Sequence, residues 1–216
     1  MFKNKKYTII REAISKDLAV FIANYFLMKR QVAKTFFAKR YVSPFETIYG
    51  TFKDEQVPNT YSHYADIAME TLMLKCQPAM EKATGLKLNP AYTYARIYKK
   101  GDVLKRHKDR FSCEISTTMN LGGDPWPIYL SPNKNVGKPN GKDITTASKA
   151  KGVKVDLKPG DMLVYRGCEL EHWREKFKGK ECVQVFLHYN NRKTPGAEKN
   201  IFDGRQHLGL PSWFKR

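Results

Sequence analysis

Y-A-R-I-Y-K-K-G-D-V-L-K-R-H-K-D, residues 94 to 109, is the stretch on which the reading of the fold turns. Tyr94, Arg96 and Tyr98 alternate as on one face of a β-strand, and Gly101 permits a turn. His107 and Asp109 then stand two residues apart, which aims an imidazole and a carboxylate the same way. A second histidine from elsewhere would complete a 2-His-1-carboxylate facial triad, the donor set that holds non-haem Fe(II) with open coordination positions.

Outward from this stretch the chain divides in two. Toward the N-terminus, Tyr7–Ile10 reads as a short strand and Ser15 as the N-cap of a packing helix carrying Leu18, Phe21, Ile22, Tyr25, Met28 and Val32 at helical spacing. Residues 39 to 60, with Pro44, Gly50, Pro58 and Asn59, read as a loop. A second helix is expected from Tyr61 through Tyr64, Ala68, Leu72 and Cys76, disturbed at Pro78 and ending near Gly85, with His63 in a structural role at its start. From Leu86 the period becomes alternating, with strand runs at 92–98, 115–121, 126–130, 153–157, 162–166 and 182–189. The expected fold is therefore α+β: a jelly-roll core at 89–190, a helical support region at 1–88 that buttresses it, and a tail at 191–216, together one domain. Ser131 to Lys154, poor in apolar residues and rich in glycine and lysine, reads as a long loop between strands.

Composition narrows the setting. The 39 Lys and Arg against 21 Asp and Glu give a net charge of +18, which attracts phosphate, nucleic acid or acidic protein. Those cations are spread along the chain, without a helix-turn-helix, RNA-recognition or zinc-finger pattern, so a nucleic-acid partner is not favoured. Cys76, Cys113, Cys168 and Cys182 form no C-x-x-C pair, and no apolar run reaches membrane-spanning length. A reducing compartment such as the cytoplasm is expected, with no membrane partner.

Further motifs follow Asp109 in a fixed order: Met119-Asn-Leu-Gly-Gly123, Trp126-Pro-Ile-Tyr-Leu130, the turn Lys158-Pro-Gly-Asp161 leading into Met162-Leu-Val-Tyr165, and then His172. With Y-x-x-G-x-x-L-x-x-H-x-D at 98–109 and K-P-G-D-x-L-x-Y at 158–165, the segment from Tyr92 to Tyr189 resembles the 2-oxoglutarate and Fe(II)-dependent oxygenases, in particular the prolyl 4-hydroxylases and their bacterial and phage relatives. The resemblance implies a double-stranded β-helix core. It implies that His107, Asp109 and His172 bind the iron and that 2-oxoglutarate and O2 are consumed, with ascorbate as an accessory reductant. The products would be succinate, CO2 and a hydroxylated C–H, most simply in a peptide or protein side chain.

One part of the family pattern is missing. Relatives hold the far carboxylate of 2-oxoglutarate with a basic residue on the last core strand, where this chain has Glu181 and Cys182. Lys180 is the first substitute, since alternation places it on the face of Cys182, Gln184 and Phe186; Arg174 competes, sharing the face of His172 and carrying a forked donor suited to carboxylates. The resemblance also points Tyr98 at the co-substrate, with Asn120 or Thr118 as a further hydrogen-bonding group; Arg96, on the face of Tyr98, is read as meeting substrate or a buried carboxylate, and Trp126 and Trp173 as lining the substrate cavity or packing beside it. The other readings are an oxygenase acting on a nucleic acid or nucleotide, and a cupin-like module that binds metal or a small acid without turnover.

Overall fold

The computed structural model describes residues 2–137 and 148–215, so the middle of the loop read at 131–154 lies outside the described residues. A short helix α1 (Phe2–Lys5) precedes strand β1 (Tyr7–Ile10) and the long helix α2 (Lys16–Ala38), capped by the Ser15 hydroxyl, which accepts from the Leu18 amide at 3.2 Å. Strand β2 (Tyr61–Tyr64) follows the 39–60 loop, then helix α3 (Ile67–Thr84). Among the described residues eight strands follow: β3 (Leu88–Lys99), β4 (Leu104–His107), β5 (Ile115–Gly123), β6 (Ile128–Leu130), β7 (Val153–Val155), β8 (Met162–Tyr165), β9 (His172–Arg174) and β10 (Glu181–Asn191), with short 3-10 turns at Phe111–Cys113, Ala197–Gly204 and Ser212–Phe214.

Two antiparallel sheets result. One has the order β1-β8-β5-β10-β3-β2, the other β4-β9-β6-β7. Strand alternation sorts the larger sheet's side chains between its faces. Ala95, Ile97, Met119, Val183, Val185 and Leu187 point outward and bury themselves against Ile22, Ala23 and Phe26 of α2 and Met69, Met73 and Met80 of α3. The opposite parity, with Arg96, Tyr98, Thr118, Gln184 and His188, is buried on the inner face. The helices thus cover one face of the sheet, and its polar inner face is left for the site.

Three expectations are corrected. Tyr61–Tyr64 is a strand rather than the first turn of a helix, because it pairs with β3 from Tyr61 opposite Ile97 to Tyr64 opposite Tyr94. Helix α3 starts only after Asp66, whose carboxylate accepts from the Met69 amide at 3.1 Å, and it runs through Pro78 unbroken to a left-handed Gly85. On α2, Phe21 is 71 % exposed and Met28 67 %, so part of the apolar stripe read as a packing face looks outward. Ile22 of that stripe, with Ala19, Ala23, Phe26 and Ala33, carries the packing, and Leu18 and Tyr25 are half-buried against the same core. Among the described residues no helix is long and apolar enough to cross a membrane.

Candidate metal centre and co-substrate pocket

Strand β3 ends in a turn at Gly101, whose φ of 93° suits glycine, and the chain returns as β4, which pairs antiparallel with β9 so that His107 lies opposite His172. The two imidazoles are 4.2 Å apart between ring centres. Asp109, just past the strand, is tethered by its amide to the Gly167 carbonyl at 2.9 Å. Its Oδ1 lies 3.6 Å from His107 Nε2 and 3.5 Å from His172 Nε2. The three residues separated in the sequence therefore present one donor atom each within 4.8 Å of one another.

The hydrogen bonds behind these groups suit a cation. His107 Nδ1 donates to the Lys105 carbonyl at 2.7 Å and His172 Nδ1 to the Leu170 carbonyl at 3.0 Å, which turns each Nε2 toward the other candidate ligands. The Gln56 amide donates to His107 Nε2 at 3.1 Å, the lone pair a metal ion would use. Asp109 Oδ2 accepts from the Ser116 hydroxyl at 2.8 Å. Burial, with His172 beside it, pushes His107 down to about 4 and keeps it neutral. Burial opposes ionisation of Asp109, but the flanking histidines, His172 first, hold it well below the ordinary carboxylate range. For His172 burial acts downward and the Asp109 carboxylate outweighs it, so its pKa rises.

A cavity of about 430 Å³ opens over these ligands, walled by Tyr92, Tyr94, Arg96, Phe186 and His188 and by Lys53–Gln56 of the preceding loop. That loop is pinned by Asp54, which is 6 % exposed and receives Arg96 Nε at 2.7 Å, Arg96 Nη2 at 3.1 Å and the Tyr94 hydroxyl at 2.8 Å. Burial works against the Asp54 charge, yet the Arg96 guanidinium holds its pKa below the usual value. Arg96 thus lines the cavity with its charge already paired. Gln56 and Asp54 carried no motif, and only the fold brings them here.

Of the two basic residues expected to meet the co-substrate, Arg174 is buried and Lys180 is exposed. Lys180 is exposed and precedes β10, its amide bonded to Asp124 at 2.5 Å, so strand alternation does not reach it. Arg174 is 1 % exposed and shares the inward face of His172 on β9. Its Nη2 donates to Thr118 Oγ1 at 3.0 Å and Gln184 Oε1 at 3.2 Å, and its Nη1 to the Trp126 carbonyl. Its Nε has no partner, and among the described residues no carboxylate pairs with it. Burial accordingly pulls its pKa down. Tyr98, fully buried, accepts from Arg96 Nη1 at 3.3 Å and stacks edge-on with Trp126.

Three other expected residues are placed elsewhere. Asn120 spends its amide on the Leu157 carbonyl and the Gly122 amide, holding a turn. Trp173 lies outside the cavity, stacked on Tyr129 and beneath the Arg106 guanidinium at 3.4 Å. Trp126 packs with Phe177 under Arg174 and does not line the cavity.

No family model matches the chain, and no curated protein sequence matches it. Solved structures do. A Pseudomonas putida prolyl-4-hydroxylase superposes with a TM-score of 0.56 at 15% identity, covering 88% of this chain and 95% of that one. AviO1 from Streptomyces viridochromogenes gives 0.63 at 13% identity over 91% and 94% of the two chains. HygX from Streptomyces hygroscopicus, solved with nickel and 2-oxoglutarate bound, gives 0.58 at 12% identity over 89% and 85%. The chain shares the fold of these three structures.

Proposed function

We propose that this chain is an Fe(II)- and 2-oxoglutarate-dependent oxygenase that hydroxylates an unactivated C–H bond, with a peptide or protein side chain as the first substrate class to try. Arg174 is the observation that carries the reading. A buried guanidinium without a carboxylate partner costs several kcal/mol of desolvation unless an anion completes it. A dicarboxylic keto acid bound at the triad by one end would place its other carboxylate toward that cation.

The two facing sheets read as a double-stranded β-helix, and residues 1–216 as one catalytic unit. His107 and His172 through Nε2 and Asp109 through Oδ1 would hold the iron. When bound, iron with 2-oxoglutarate and O2 supplies the oxidising chemistry and releases succinate and CO2. The chain's own part is placement. Arg174 and Thr118 orient the far carboxylate, and the Tyr98 hydroxyl lies beside them as a further donor. Phe186 and Tyr94 narrow the cavity against water, and the Asp54–Arg96 pair fixes the wall on which a substrate would rest.

The test is an anaerobic titration of Fe(II)-loaded protein with 2-oxoglutarate, following the weak visible band of a chelated keto acid. Arg174→Leu should weaken co-substrate binding by at least about thirtyfold, the lower end of the roughly 2–5 kcal/mol carried by a buried charge pair, and leave metal binding in place. Lys180→Ala should titrate like the wild type. An Arg174→Leu protein that binds 2-oxoglutarate unchanged would remove the assignment. A band without substrate-coupled succinate release would favour a binding module.

A further inference from the structure

We propose that His188, acting through Ser116, is the positioning residue that orients the Asp109 carboxylate toward the metal. The inference rests on the iron-site reading above and adds a part to it that the ligand pattern does not contain.

The sheet sets this arrangement across adjacent strands. Tyr92 on β3 lies opposite His188 on β10, and His188 lies opposite Ser116 on β5. The row stands on the inner face, behind Asp109. His188 is 6 % exposed, its ring 4.6 Å from that of Tyr92, and its Nδ1 is 3.0 Å from Ser116 Oγ. Ser116 is fully buried.

The Ser116 hydroxyl has one proton and three neighbours: Asp109 Oδ2 at 2.8 Å, the Cys113 carbonyl at 2.9 Å and His188 Nδ1 at 3.0 Å. The carboxylate is the charged acceptor and takes the proton, because a charge-assisted hydrogen bond is about twice as strong as a neutral one. The Ser116 oxygen is then free to accept, and His188 donates to it from Nδ1. The direction of the chain is thereby set from His188 to Ser116 to Asp109. Oδ2 is held back by the hydroxyl while Oδ1 faces both ligand histidines, an arrangement that favours a single metal bond from Asp109. The same polarity leaves His188 Nε2 as a bare acceptor at the cavity wall.

A rival arrangement is present in the same place. Asp109, Cys113 and His188 also offer donor atoms within 4.8 Å of one another, and there His188 would be a ligand instead. Cys113 Sγ is engaged by the Tyr92 hydroxyl at 3.0 Å.

Co(II) titration of the whole chain, read by visible absorption, separates the two without any turnover. In His188→Asn an amide nitrogen replaces Nδ1, and in His188→Gln one replaces Nε2. The Asn variant should bind Co(II) like the wild type with the same spectrum. His188→Gln and Ser116→Ala should weaken binding about 10–100-fold, the usual cost of losing an outer partner of a metal ligand, with a shifted band. Ser116→Thr, which restores the hydroxyl, should restore both. Wild-type affinity in His188→Gln would overturn the proposal. So would an intense thiolate-to-cobalt band that Cys113→Ser removes. Co(II) reports on the carboxylate even if 2-oxoglutarate fails to bind, so the two readings fail separately.

Discussion

Gly167 shows how closely the residues around the candidate metal ligands are fitted. A Cβ at this position would lie 2.3 Å from Asp109 Oδ2, 2.5 Å from the Cys113 carbonyl and 2.7 Å from Ser116 Oγ. The first and last of these are the atoms that hold the carboxylate in place. Gly167→Ala should therefore displace Asp109 and weaken Mn(II) binding by at least about tenfold, measured by calorimetry, while far-ultraviolet circular dichroism stays that of a folded protein. Unchanged Mn(II) affinity would mean that Asp109 has another orientation open to it. His107 and Asp109 could be read as neighbours because they stand two residues apart, whereas His172 follows only from the order of motifs on which the resemblance rests. Gly167 could not, since a lone glycine does not say which side chain approaches it from across the fold. Lys180 and Arg174 differ for a related reason: alternation holds only inside a strand, and β10 begins one residue after Lys180.

At the scale of elements, Asp66 joins three of them. It caps α3 at the Met69 amide and also receives the Tyr25 hydroxyl at 2.7 Å and Lys29 Nζ at 2.5 Å from α2, with His63 Nδ1 of β2 at 3.2 Å. Asp66→Ala removes the cap and strands a half-buried ammonium, and should cost about 3 kcal/mol in urea unfolding. Burial opposes the Asp66 charge, but His63 and Lys29 hold its pKa below the ordinary 3.8. A depressed carboxylate stabilises the fold above the unfolded pKa and loses that contribution as pH falls through the folded one. The wild type's advantage over Asp66→Ala should thus be full above about pH 4 and shrink with further acidification; an advantage that grew in acid would contradict it. The same corner shows why β2 was hidden. Y-S-H-Y fits a helix start by its apolar spacing, and only pairing with β3, distant in sequence, together with the positive φ of Ala65 (57°), makes it a strand.

Across the whole molecule, α2 and α3 cover one face of the larger sheet and the candidate site occupies the other, so unfolding that core dissolves the site. Metal and co-substrate that bind only the folded chain must then raise its stability by mass action, by about 2.7 kcal/mol for a ligand at a hundred times its Kd. For a protein of this length each kcal/mol moves Tm by roughly 2–4 °C, so each ligand should add about 5–11 °C in an anaerobic melt with Mn(II), which does not turn over. The two increments depend on different residues. Asp109→Ala should lose both, because the keto acid needs the metal to anchor its near end. Arg174→Leu should keep the metal increment and lose most of the second, provided that each melt is run at the same free ligand concentrations. The +18 charge supplies a control, since weak attraction of any dianion to a basic surface also raises Tm. That contribution fades with added salt and survives both substitutions, whereas binding in the interior is screened far less. A second increment that disappears with salt and is indifferent to Arg174 would assign 2-oxoglutarate to the surface; one that persists at high salt and follows Arg174 would assign it to the buried guanidinium.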